Sequence, residues 1–250
     1  MNGELMKLFQ LTLAARQSLR TEKVTLPPSD STLVEGYDFQ FAQRGEKDAL
    51  PAVRTERVAD WLELLRTRGA RDLKLIVEDQ IADYEALRGL NGLPCCLICF
   101  YDNGVTVWQK RWLYNVVSKR CHVHMEEFVI PQPPQEKPMF RDVSQDMVML
   151  LERLRALAQK LELSRFAFAF RAAQNKLQAN FVPADGMMSP AHRRLLAAAT
   201  EAYVFDGEVP WTEEGKAAAE QKGLLEEYQL LTGELYRGIA LSYMYAANEW

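Results

Sequence analysis

Three side chains in one short stretch have the types and spacing to do chemistry. Between Lys119 and Ile130 the sequence runs Lys-Arg-Cys-His-Val-His-Met-Glu-Glu-Phe-Val-Ile. In an extended strand successive side chains point to opposite faces. His122, His124 and Glu126 then share one face, while Cys121, Val123 and Met125 share the other. Two imidazoles and a carboxylate at i, i+2 and i+4 can converge on a cation, and imidazole suits zinc, iron, nickel or copper. Three protein ligands plus an open position would suffice for a catalytic metal, which would lower the pKa of a bound water. The opposing consideration is geometric. Three groups on one straight strand are spread along it, and a neighbouring strand has to supply a further ligand. The hairpin partner offers Gln109 and Lys110 instead. The competing reading is a solvated sheet face, and no cofactor is named by the sequence.

Other chemistry has weaker support. Cys96 and Cys99 have C-x-x-C spacing, but a strand places them on opposite faces, and no second pair follows. Cys95, Cys96, Cys99 and Cys121 read as reduced thiols acting as small hydrophobes. No G-x-S-x-G elbow, phosphate loop or G-x-G-x-x-G is present. His192 lies in the first turn of a helix and reads as a surface residue. Trp108, Lys110, Arg111, Trp112, Lys119 and Arg120 interleave rings and cations on adjacent strands, a pattern that could stack single-stranded nucleic acid. The net charge of −4 supplies no global positive field for it, so nucleic acid is disfavoured. Tyr228, Tyr236, Tyr243, Tyr245 and Trp250 concentrate near the C-terminus, and such residues are enriched at protein interfaces.

The elements that must position these groups follow from periodicity. A first helix is expected over Glu4–Arg20. Tyr37–Phe41 alternates as a strand. Val58, Trp61, Leu62 and Leu65 fall at i, i+3, i+4 and i+7 on a helix face, with Thr55 as N-cap and Gly69 as terminator. Asp72–Glu78 is a strand, and Ile81, Tyr84 and Leu87 suggest a short helix closed by Gly89. Cys95–Tyr101 is apolar throughout, so it reads as a strand covered on both faces. Asp102-Asn103-Gly104 turns it into a return strand, Val105–Tyr114.

Pro131–Pro138 stops the sheet and reads as a linker. Beyond it the period is helical. Asp142 and Gln145 have capping-box form, followed by an apolar stripe from Met147 to Leu161. Ser164–Gln178 fits either strand or helix, with helix favoured. Ser189-Pro190 starts another helix, and Thr212 opens a long final helix.

These assignments give an α+β chain. An antiparallel sheet of about five strands packs with helices in residues 1–131, and residues 139–250 form an all-helical part. The 250-residue length, 48% hydrophobic and 26% charged, suits one large domain or two small ones. No signal peptide or membrane-length apolar run is evident, so the expectation is a cytoplasmic protein without a membrane partner. The leading functional expectation is an interaction or accessory module that binds a protein partner or itself, a homodimer being simplest, with an enzyme less favoured but left open. A metal-dependent hydrolase using His122, His124 and Glu126 stands second, and single-stranded nucleic-acid binding third.

Overall fold

The computed structural model describes residues 2–21, 23–27, 33–43, 52–77, 95–130, 140–179, 188–206 and 208–249. The chain divides into two compact units, Met1–Pro138 and Met139–Trp250. The expected short helix near Ile81, the Pro131–Pro138 linker and Trp250 lie outside the described residues.

The first unit holds α1 (Asn2–Thr21), β1 (Val34–Phe41), β2 (Val53–Thr55), α2 (Val58–Thr67), β3 (Ala70–Val77), β4 (Cys95–Tyr101), β5 (Gly104–Asn115) and β6 (Arg120–Val129). The strands form one sheet in the order β2-β1-β6-β5-β4-β3. Two expectations need correction. Among the described residues the sheet has six strands, and it is mixed rather than antiparallel, because β1 runs parallel to β6. The remaining neighbours are antiparallel. The added strand β2 contains Thr55, which is therefore not the cap of α2. Arg57 occupies that position, and the Thr55 hydroxyl accepts a 3.4 Å bond from its backbone N–H.

Side-chain alternation explains the core. Every residue from Cys95 to Phe100 is buried, as an apolar strand covered on both faces should be. Trp61 of α2 stacks on Phe39 at 4.7 Å and meets Trp108 edge-on at 5.8 Å, and Phe41 closes on Trp108 at 4.8 Å. Edge-to-face pairs of this kind add to the area term. The helix α1 is buried around most of its circumference, polar residues included. Thr12 and Ser18 satisfy their hydroxyls on the carbonyls of Leu8 and Ala14, and Arg16 reaches Asp72 at 3.0 Å. Gly69, with φ of 81°, ends α2 in the left-handed region as its sequence position suggests.

The second unit holds α3 (Ser144–Lys160), α4 (Ser164–Gln178), α5 (Pro190–Glu201), α6 (Trp211–Lys222) and α7 (Leu225–Asn248). The ambiguous segment Ser164–Gln178 is a helix, packed on α3 and α5. Ser189 caps α5 by accepting the His192 N–H at 3.2 Å. The capping box at Asp142 does not form. Its carboxylate accepts the Ser144 N–H instead, one position early, and Val143 is the N-cap. The single final helix is two, because Gly223 adopts φ of 67° and closes α6 before α7 begins. Trp211 sits at the centre of this unit among Phe166, Phe170 and Tyr228. Gly215 permits that packing, since a Cβ there would lie 2.9 Å from the Trp211 and Tyr228 rings.

No described helix is long and apolar enough to cross a membrane.

Candidate functional site: the β1–β6–β5 face and its hairpin

His122, His124 and Glu126 do share one half-exposed face of β6. The neighbour that matters is β1, whose parallel register sets Gly36 beside His122, Asp38 beside His124 and Gln40 beside Glu126. On the other side β5 brings Leu113, Arg111 and Gln109. The ring of His122 lies over Gly36, where a Cβ would come within 2.9 Å of Nδ1. His124 Nδ1 and Asp38 Oδ2 are 2.8 Å apart, and Arg54 donates to Asp38 Oδ1 at 2.7 Å. An ionised carboxylate can only accept, so Nδ1 carries the proton and Nε2 is left as the basic nitrogen.

Burial pushes the Asp38 carboxyl up, but its bonds from Arg54 and His124 outweigh that and hold it below its ordinary value. The chain Arg54–Asp38–His124 thus ties three adjacent strands together by charge-assisted bonds. Among the described residues no group of three or more His, Cys, Asp or Glu side chains is placed to hold a metal ion. Asp38 was not recognisable as a neighbour of His124, because a parallel pairing between strands 86 residues apart leaves no local signal.

The opposite face carries a second polar constellation that sequence reasoning passed over. Glu127 is 3% exposed. Its Oε1 accepts the Tyr101 and Thr106 hydroxyls at 2.9 and 2.7 Å, and its Oε2 accepts the Ala42 N–H at 3.1 Å. Arg68 donates to the Ala42 carbonyl at 2.6 Å and lies over the Phe41 ring. Both backbone groups of Ala42, just past the close of β1, are therefore held by charged side chains. The signal available was a charged residue at a core-facing register position.

The ring-and-cation platform does not assemble as expected. Trp108 is fully buried against Phe39, Phe41 and Trp61, and Lys110 Nζ donates to the Cys95 carbonyl at 2.9 Å. Arg111 faces the other way, beside His124. The cysteines are free, three of them buried. Burial pushes the Cys95 thiol up and the Cys96 thiol up to about 12, the reverse of an activated nucleophile.

His192 is a correction, since it is 7% exposed and meets Tyr245 edge-on at 5.0 Å. The C-terminal tyrosines are largely internal. Tyr228 donates to the Trp211 carbonyl at 3.0 Å, Tyr243 is 3.0 Å from the Thr200 hydroxyl, and only Tyr236 is exposed among the four.

Four exposed apolar residues lie close together in sequence at the end of the β5–β6 hairpin. Leu113, Tyr114, Val116 and Val117 are all exposed, the two valines at 77% and 89%. A polar clamp orders the tip. Glu35 on β1 accepts from Asn115 Nδ2 at 3.1 Å and from the Ser118 hydroxyl at 2.5 Å. The Asn115 side chain accepts the Val117 and Ser118 N–H groups at 2.9 and 3.3 Å. Lys119 completes the reversal with φ of 55°, a conformation that a residue with a Cβ adopts only when its surroundings require it.

Comparison with protein-family models, with curated proteins and with solved structures finds no match.

Proposed function

We propose that this chain is a protein–protein interaction module that docks through the tip of its β5–β6 hairpin. The observation that carries the reading is the display of Val116 and Val117 to water by a turn that Glu35, Asn115 and Ser118 hold in shape. Single exposed apolar residues are ordinary, but a contiguous exposed group marks a binding surface. Burying one valine fully is worth about 1.5–3 kcal/mol. A preformed turn also spares the partner the ordering cost that a floppy loop would impose. The C-terminal aromatic helix loses its standing as the contact surface, because Tyr228 and Tyr243 are spent inside the helical unit. A second copy of the chain is the simplest partner.

The test is sedimentation velocity of the wild type and of the Val116→Asp/Val117→Asp variant over a concentration series, followed by affinity capture with each. The reading expects self-association, or capture of a defined partner, that the variant loses while keeping the wild-type melting temperature. Equal behaviour of both proteins in both assays would overturn it.

A further inference from the structure

A second site lies on the helical unit, in a groove of about 480 Å³ between α3 and α4. Arg155 and Gln159 line one side, and Ser164, Phe168 and Arg171 line the other. Both rows have the i, i+3 or i+4 spacing that puts side chains on one helix face. Three features set this groove apart from an ordinary solvated seam.

The first is unmatched charge. The helices α3 and α4 carry six basic residues, and Arg153, Lys160 and Arg165 pair with Glu234, Glu227 and Glu214. Arg155, Arg171 and Lys176 have no carboxylate partner among the described residues, and the first two face the groove. The one acidic lining residue, Glu162, is already bound by Lys222, whose hydrogen bond holds its carboxyl below the ordinary range.

The second is that Arg155 Nε is shielded from solvent with no hydrogen-bond partner. A shielded donor left unmade is costly, and a rotation of the Arg155 side chain on binding would let an acceptor in the groove reach it. The third is Phe168, which lines the groove together with these two arginines and is 73% exposed.

We infer that the groove between α3 and α4 binds an acidic peptide segment of a partner protein, with carboxylates on Arg155 and Arg171 and an apolar side chain against Phe168. Guanidinium forks match carboxylates in a planar, bidentate way, and the groove is basic on a chain whose net charge is −4. The inference rests on the reading that this chain works through protein contacts, but on none of the hairpin residues.

The experiment is selection of a random-peptide phage library on the full chain, with enriched peptides synthesised and titrated by fluorescence anisotropy. The expected peptides are acidic, carry an apolar or aromatic side chain, and bind more weakly as salt rises. Arg155→Ala/Arg171→Ala should weaken them roughly tenfold, through the loss of two charge pairs. Phe168→Ala should weaken them severalfold, and Lys176→Ala, on the same helix outside the groove, should not change them. All these positions are partly or fully exposed, and unchanged melting of each variant confirms the fold. The inference is overturned by absence of enrichment, by neutral or basic winners, by binding that survives the double arginine variant, by equal loss in Lys176→Ala, or by displacement with equimolar inorganic phosphate. Peptides lost only in Val116→Asp/Val117→Asp would belong to the hairpin, so the two failures can be told apart.

Discussion

Removing the Glu127 carboxylate should cost the sheet unit more than any single partner does. Glu127→Ala strands two hydroxyls and one backbone N–H, of which the Thr106 hydroxyl is the deepest. Bonds to a charged acceptor contribute about 1.5–3 kcal/mol each, and a buried donor left unmade costs about 1–3 kcal/mol. Tyr101 and Ala42 are only half-buried, so water recovers part of their loss. The sum is a destabilisation of about 2–4 kcal/mol. Glu127→Gln keeps an acceptor for the hydroxyls but aims an amide N–H at the Ala42 N–H, and should cost about 1–3 kcal/mol. Tyr101→Phe alone should cost about 1 kcal/mol.

Urea unfolding followed by tryptophan fluorescence reads this directly, since Trp61 and Trp108 lie in the same core. With a slope of about 2 kcal/mol/M, Glu127→Ala should lower the midpoint by about 1–2 M. A double-mutant cycle with Thr106→Val should show coupling of about 1 kcal/mol. Glu127→Leu should be destabilising alone and partly rescued when combined with Thr106→Val and Tyr101→Phe, because the apolar triple leaves fewer donors unmade. A Glu127→Leu protein as stable as wild type, or zero coupling to Thr106, would refute the reasoning.

Other expectations follow from the same contacts. Burial pushes the His192 imidazole below its ordinary 6.5, against the opposing charges of Asp142 and Glu249. Its contribution to stability is therefore complete above about pH 6.5 and is lost as pH falls through the lower folded value. Chemical denaturation near pH 7.5 and 5.5 should show that loss in the wild type and a smaller one in His192→Phe. The Asp38 carboxyl, held below 3.8, contributes stability above that pH which is lost as acid protonates it in the folded state. Acid titration of Asp38→Asn, followed by circular dichroism, should accordingly show a shallower acid limb than wild type. Native mass spectrometry should give metal-free masses for wild type and His122→Ala alike. A transition-metal increment lost in the variant would restore the hydrolase reading of His122, His124 and Glu126.

Much of the architecture was legible because local periodicity and turn chemistry agreed with it. Trp61, Leu62 and Leu65 of the expected stripe are the buried face of α2, with Val58 half-buried at its start, and the apolar run Cys95–Phe100 is the strand covered on both sides. What escaped was non-local. Nothing near Tyr37 or His124 announces a parallel partner, so the mixed sheet and the Asp38–His124 pair had to come from coordinates. The three-residue β2 is too short to show a period. Gly223 did carry a stop signal, yet the residues on either side are helix formers, and the break was read through. Of the candidate site, the shared face of His122, His124 and Glu126 followed from alternation alone. Burial did not, and it reversed the expectation for His192 as a surface residue and put Tyr228 and Tyr243 inside the helical unit. The hairpin tip was passed over because two adjacent valines in a turn look like strand residues until their exposure is known.

The most direct test of the central claim is site-specific photo-crosslinking in cells, with a photoreactive amino acid at position 117 and a control at the exposed Met149 of the helical unit. The account predicts a discrete adduct from position 117, either at twice the 28.6 kDa chain mass or with one defined partner, and its disappearance when Glu35→Ala releases the clamp. Diffuse crosslinking equal at both positions would contradict it.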